Sequence, residues 1–216
     1  MPSRAIASFA RSGCDLNVLA GRSYDGLTIG LLGGSFNPAH EGHLAISHEA
    51  LRRLRLDRLW WLVSPGNPLK SGQFMLPMAE RVAAARAAAG ADRRITVTGI
   101  EASLGTRYTA DTLEALGRRF PRVTFIWLMG ADNLAQMPRW ARWQSIFTST
   151  RVAVMARAPY TIGALGGKAA RRFARSRIPA GKAGLLAKQK VPAWVFLPIP
   201  LHPASATAIR AGWTPR

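Results

Sequence analysis

An apolar run of strand length, Leu27-Thr28-Ile29-Gly30-Leu31-Leu32, leads directly into Gly33-Gly34-Ser35-Phe36-Asn37-Pro38-Ala39-His40-Glu41-Gly42-His43. Residues 44–56 follow with apolar positions at helical spacing. This order constrains the fold more than any other stretch of the chain. It reads as the first β-to-α turn of an α/β sheet. Such a turn lies at the carboxyl end of a strand, where open α/β sheets bind ligands. Glycines let backbone approach a ligand, and the helix that follows offers free N–H groups and the positive end of its dipole. Two imidazoles three residues apart then face the same anion. The arrangement suits phosphate and supplies neither a hydride acceptor nor an acyl nucleophile. The alternative is a glycine-rich turn with incidental histidines. Neither common phosphate loop is present at this turn: there is no G-x-x-x-x-G-K-[ST] and no G-x-G-x-x-G.

The 216 residues are enough for one domain with a sizeable core. Residues 1–25 carry Arg4, Arg11 and Arg22 among small residues with no clear period, and read as a flexible N-terminal extension. Residues 26–216 then form a single domain. No apolar run approaches transmembrane length, so no membrane partner is expected. One cysteine, Cys14, excludes an internal disulfide and fits a reducing compartment, so the cytoplasm is the expected location. One cysteine and four scattered histidines do not make a structural zinc site. The balance is basic, with 30 Lys and Arg against 11 Asp and Glu, and no acidic residue follows Asp132. That asymmetry points to polyanionic partners, nucleotides or RNA, although a solvated charged face explains much of it.

Further motifs sit at the ends of later strands. The second strand, 58–64, is followed by the loop Ser64-Pro65-Gly66-Asn67-Pro68-Leu69-Lys70, which brings Lys70 toward the same cleft; the alternative is a surface lysine. Pro77 and Gly90 punctuate an alanine-rich helix. Residues 95–97 make a short strand, 101–108 a loop, and Thr109 caps a helix over 112–120. The clearest buried strand, 122–129, ends in Gly130-Ala131-Asp132, with a carboxylate placed for ribose hydroxyls or for a helix cap. Trp140 and Trp143 stand three apart on a short helix; such pairs usually belong to the core, and one facing the cleft would stack on a flat ring. Residues 152–155 and 193–197 read as strands, with a helix around 167–175 between them. The stretch 203–210 enters a last helix, where Ser205, Thr207 and Arg210 make a second anion site.

Gly34, Phe36, Pro38, His40, Gly42 and His43 resemble the G-x-F-x-P-x-H-x-G-H signature of the nucleotidyltransferase superfamily. Three later segments resemble one branch, the bacterial nicotinate-mononucleotide adenylyltransferases. Residues 107–113, RYTADTL, are similar to that family's S/T-Y-T-x-D-T-L. Residues 129–132 with Trp140 and Trp143 are similar to its G-A-D…W…W, and residues 205–210 to the end of its I-S-S-T-x-I-R. Ala204 and Ala206 depart from the last pattern and remove one hydroxyl, and the chain ends soon after this motif, at Arg216.

The resemblance implies an α/β, Rossmann-like, doubly wound fold with a mostly parallel sheet. It implies transfer of AMP from ATP to nicotinate mononucleotide, giving deamido-NAD and pyrophosphate, with Mg²⁺ on the ATP phosphates and few direct protein ligands. It assigns catalysis to His40, His43 and Arg210. Gly33, Gly34, Ser35, Phe36, Gly42, Gly130, Asp132, Ser205 and Thr207 join them in binding ATP. Lys70, Tyr108, Thr109, Trp140 and Ala141 bind the mononucleotide. The acceptor's own phosphate is the nucleophile, so catalysis is positioning plus charge stabilisation. Rival readings are a superfamily member using nicotinamide mononucleotide or pantetheine phosphate, and a basic nucleic-acid-binding protein. The last is disfavoured because the basic stretch 159–190 holds few aromatics, only Tyr160 and Phe173.

Overall fold

The computed structural model describes residues 19, 23–66, 75–156, 161–200, 209 and 212. Seven strands form one sheet in the order β3-β2-β1-β4-β5-β7-β6, and every neighbouring pair is parallel. They are β1 (Thr28–Gly34), β2 (Arg58–Val63), β3 (Ile95–Thr98), β4 (Thr124–Gly130), β5 (Arg151–Met155), β6 (Arg177–Ile178) and β7 (Trp194–Leu197). The chain runs outward from β1 through β2 to β3, then returns to lay β4 on the other side of β1. The strand order therefore reverses between β1 and β4, and their carboxyl ends border the crevice where such sheets bind ligands.

Both sheet faces are covered, which is why the central strands are apolar without interruption. Adjacent tryptophans of β2 show the alternation: Trp60 enters one core with Leu31 and Trp127, while Trp61 enters the other with Leu32 and Leu128. Helices α1 (Glu41–Arg53) and α2 (Met78–Ala89) cover the Trp61 face together with the 3-10 segment Ala180–Lys188. The Trp60 face is covered by α3 (Ile100–Ser103), α4 (Thr109–Arg119), α5 (Ala131–Gln136), α6 (Trp143–Ser149), α7 (Thr161–Leu165) and α8 (Lys168–Arg172). Because α1 leaves β1 on one face and α5 leaves β4 on the other, the crevice opens between them.

The doubly wound expectation holds, and several boundaries move. β1 takes in both motif glycines, and a Cβ on Gly33 would lie 2.3 Å from the Trp127 ring, so that glycine is required by packing. The expected loop 101–108 contains most of α3, whose first amide, Ile100 N–H, donates to Thr98 Oγ1 at 3.2 Å; four residues give no period to read. Two residues of the expected N-terminal extension belong to the core. Leu19 and Tyr24 are buried, and the Tyr24 ring meets Trp60 edge-on at 5.1 Å and Phe120 at 6.1 Å. The expected helix around 167–175 is shorter, α8 followed by a 3-10 turn, Ala174–Ser176. The final helix expected beyond residue 203 lies outside the described residues.

Candidate active site

The motif turn is built on a strained residue. Phe36 takes φ 46°, a left-handed conformation that costs a side-chain-bearing residue about 1–2 kcal/mol. Its ring is 1% exposed and stacks on Trp61 at 5.1 Å, and that burial offsets the strain. The same ring tilts against the His43 imidazole at 4.8 Å.

The two histidines close the amino end of α1 reciprocally. Gly42 N–H donates to His40 Nδ1 at 3.1 Å, and His40 N–H donates to His43 Nδ1 at 3.3 Å. The His43 amide itself donates to His40 O at 2.9 Å. The sequence suggested open amides here; instead the imidazoles cover them. Accepting at Nδ1 leaves Nε2 as the nitrogen that carries the proton. The imidazoles thus cover the Gly42 amide and the N-cap amide of His40 at this helix end. The ring centroids are 3.9 Å apart, so both serve one small region. His43 is anchored from behind: Ser47 Oγ donates to its carbonyl at 2.7 Å and accepts from Trp61 Nε1 at 2.8 Å.

Arg81 was not singled out by sequence reading. It lies on α2, is 1% exposed, and its guanidinium donates to Ser35 O (2.7 Å), Ser64 O (2.8 Å) and Leu76 O (2.9 Å). Desolvation lowers its pKa. Asn37 adds a parallel tie, its Oδ1 accepting from Leu76 N–H at 3.2 Å. The motif turn and both ends of the loop after β2 are thus fastened together. The readable signal was an arginine on the stripe shared with Val82, Ala85 and Ala89.

Across the crevice, Gly130 ends β4 and is the N-cap of α5, while Asp132 is the second helical residue, half-buried, and not the cap itself. Helix α4 also begins beyond the carboxyl end of a strand, β3. Its N-cap is Tyr108, an exposed aromatic, and Thr109 is the first helical residue; the expectation that Thr109 caps the helix is corrected. No side chain caps this helix; Asp111 N–H donates to Tyr108 O at 3.0 Å, which leaves the Thr109 and Ala110 amides without the cover that α1 receives.

Behind Tyr108 lies a polar cluster that the sequence did not announce. Thr112 Oγ1 is 3.3 Å from Tyr108 O, 3.3 Å from Glu101 Oε1 and 2.8 Å from Thr106 Oγ1. Burial pushes the Glu101 carboxyl up to about 7, a rise that the Thr112 hydrogen bond moderates.

The two tryptophans do not share a helix. Trp140 closes the 3-10 turn Met137–Arg139 in extended conformation, and Trp143 begins α6. Arg142 between them is left-handed, φ 49°. Trp143 is buried against Phe173, while Trp140 is half-buried beside the exposed Ala141. The Trp140 amide is consumed by Met137 O at 2.9 Å, which removes it as a ligand donor. Lys70, Ser205, Thr207 and Arg210 lie outside the described residues. Among the described residues no three His, Cys, Asp or Glu side chains converge on a point that could hold a metal, and no helix is long and apolar enough to cross a membrane.

Residues 31–212 match the family model described as cytidylyltransferase-like. A probable nicotinate-nucleotide adenylyltransferase of Methylorubrum extorquens is 54% identical over 184 residues, covering 85% of this chain and 99% of that protein. A probable nicotinate-nucleotide adenylyltransferase of Bradyrhizobium sp. is 55% identical over 171 residues, covering 79% and 88%. Among solved structures, the nicotinic acid mononucleotide adenylyltransferase of Plasmodium falciparum, complexed with NaAD, superposes with a TM-score of 0.63 at 16% identity, over 86% of this chain and 83% of that one; it shares the fold. The chain belongs to the cytidylyltransferase-like family and, within it, to the nicotinate-nucleotide adenylyltransferases.

Proposed function

We propose that this chain transfers AMP from ATP to nicotinate mononucleotide, forming deamido-NAD and pyrophosphate in NAD biosynthesis. The observation that carries the reading is the pair of imidazoles capping α1 at the switch point, their ring centroids 3.9 Å apart. An oxygen of the mononucleotide's phosphate attacks the α-phosphorus of ATP. The bond from that phosphorus to the bridging oxygen breaks, and pyrophosphate leaves with the electron pair. No protein nucleophile takes part.

His43 donates to the α-phosphate as negative charge grows there, and His40 steadies the neighbouring phosphate. Gly33, Gly34, Ser35, Phe36 and Gly42 shape the backbone around the nucleotide, while Gly130 and Asp132 hold ribose. Ser205, Thr207 and Arg210 are assigned to the departing β- and γ-phosphates, and Lys70 adds charge, all four on sequence grounds. Tyr108 and Trp140 flank the pyridine ring. The open amides at the start of α4, with the Ala141 N–H, receive its carboxylate. Mg²⁺, when bound, would be held mainly by phosphate oxygens and water and would neutralise phosphate charge; among the described residues no three His, Cys, Asp or Glu side chains converge to ligate it. A cytoplasmic location is our reading, supported by the single cysteine, Cys14, which fits a reducing compartment.

Pyrophosphate release from ATP, with each acceptor supplied singly, tests the assignment. Nicotinate mononucleotide is expected to exceed nicotinamide mononucleotide by at least roughly a hundredfold in kcat/KM, because the amide's NH₂ would face N–H donors and leave them unpaired. Pantetheine phosphate is expected to be inert. Near-equal values for acid and amide would contradict acid specificity.

A further inference from the structure

Asp111 is the third residue of α4, the place from which an acidic side chain ordinarily turns back to accept from the N-cap amide, here Tyr108 N–H. It makes no such cap here. Its carboxylate is held by Arg142 Nη2, which also lies 3.4 Å from Glu114 Oε2, one turn further along α4. Arg142 sits between Ala141 and Trp143 in a left-handed conformation that disfavours side-chain-bearing residues. Its side chain is about half exposed, so core packing does not account for the residue there. One arginine thus joins the two segments assigned to the pyridine ring and draws two negative charges to itself.

We propose that Arg142 is a specificity-determining residue for the acceptor: by holding Asp111 and Glu114 it keeps their carboxylates away from the uncapped start of α4, which then stays open to the ring carboxylate of nicotinate mononucleotide. This rests on the function proposed above. Without Arg142, Asp111 turns back onto the amides that the substrate's carboxylate requires and repels it, and Glu114, which Arg118 also holds at 2.6 Å, adds a smaller repulsion. A neutral ring amide is not repelled in this way. Arg142 therefore acts through Asp111 and Glu114 on the choice between acid and amide, and it is a positioning residue without substrate contact.

The test compares kcat/KM for nicotinate and nicotinamide mononucleotides on single preparations of wild type, Arg142→Gly, Asp111→Asn and Arg142→Gly/Asp111→Asn. Glycine accepts the left-handed backbone without steric cost. The ratio of the two values is independent of how much of each preparation is folded. In Arg142→Gly the acid preference is expected to fall about three- to tenfold at low ionic strength, through KM for the acid, and less at high salt. The double variant is expected to recover most of it. An unchanged ratio in Arg142→Gly, or no recovery in the double variant, overturns the proposal. A wild type without acid preference fails earlier and differently: it removes the acceptor assignment, and the proposal falls with it.

Discussion

His43 caps α1 through Nδ1, so replacing it with alanine removes a phosphate donor and one helix cap together. The cap accounts for a stability loss of about 1 kcal/mol. The donor accounts for a fall in kcat of at least about a hundredfold with the fold intact. Steady-state rates with circular-dichroism melting check both, and a tenfold loss or less would make His43 structural. Glu101 gives a second residue-scale prediction. Its carboxyl is raised from an ordinary 4.5 to about 7. Between those values the folded protein binds a proton that the unfolded chain has released, so stability falls as pH rises through that window and levels off above 7. The swing is on the order of 3 kcal/mol at most. Glu101→Gln keeps a partner for Thr112 and is expected to flatten the dependence of Tm on pH between about 5 and 7. A slope equal to wild type would mean that Glu101 titrates normally. The histidines were legible because six fixed positions announced them, but which ring nitrogen faces the helix depends on side-chain orientation. Glu101 was illegible because its burial depends on Thr106 and Thr112, which come from the next turn and helix.

Among the elements, the ties around Arg81 join α2 to the motif turn after β1 and to the loop after β2. Arg81→Met would leave the carbonyls of Ser35, Ser64, Pro65 and Leu76 without their donor and is expected to cost about 3 kcal/mol. Lysine has three donors on a single nitrogen and no planar fork, so Arg81→Lys should recover only part of the loss. Urea unfolding checks this, and a change below about 1 kcal/mol in Arg81→Met would show the ties to be incidental. Strand, turn and helix units were legible wherever apolar period and punctuation agreed, as from Thr28 to Arg53. They were not legible where elements are too short to show a period, as with α3 and the two-residue strand β6. The tryptophan pair was misplaced for a backbone reason: left-handed Arg142 ends one helical turn and begins another, so spacing by three put Trp140 and Trp143 on a helix that does not exist.

For the molecule as a whole, the strand order reverses between β1 and β4, and this placement brings together motifs separated by about a hundred residues of sequence. The histidine turn follows β1, Gly130–Asp132 follows from β4 and α4 begins after β3, so each stands beyond the carboxyl end of a strand, although no single segment encodes the site. The basic balance of the chain suits a site that must gather phosphates from two substrates. The central claim is that this arrangement joins ATP and mononucleotide directly, with the protein positioning both and never carrying AMP itself. Exchange of labelled pyrophosphate into ATP tests this most directly, measured with and without the second substrate. The account predicts no exchange and no labelled protein when ATP and pyrophosphate are the only small molecules present, and rapid exchange once deamido-NAD is added, because the reverse reaction then runs. Exchange without any nicotinate nucleotide, or adenylate bound covalently to the chain, would contradict it.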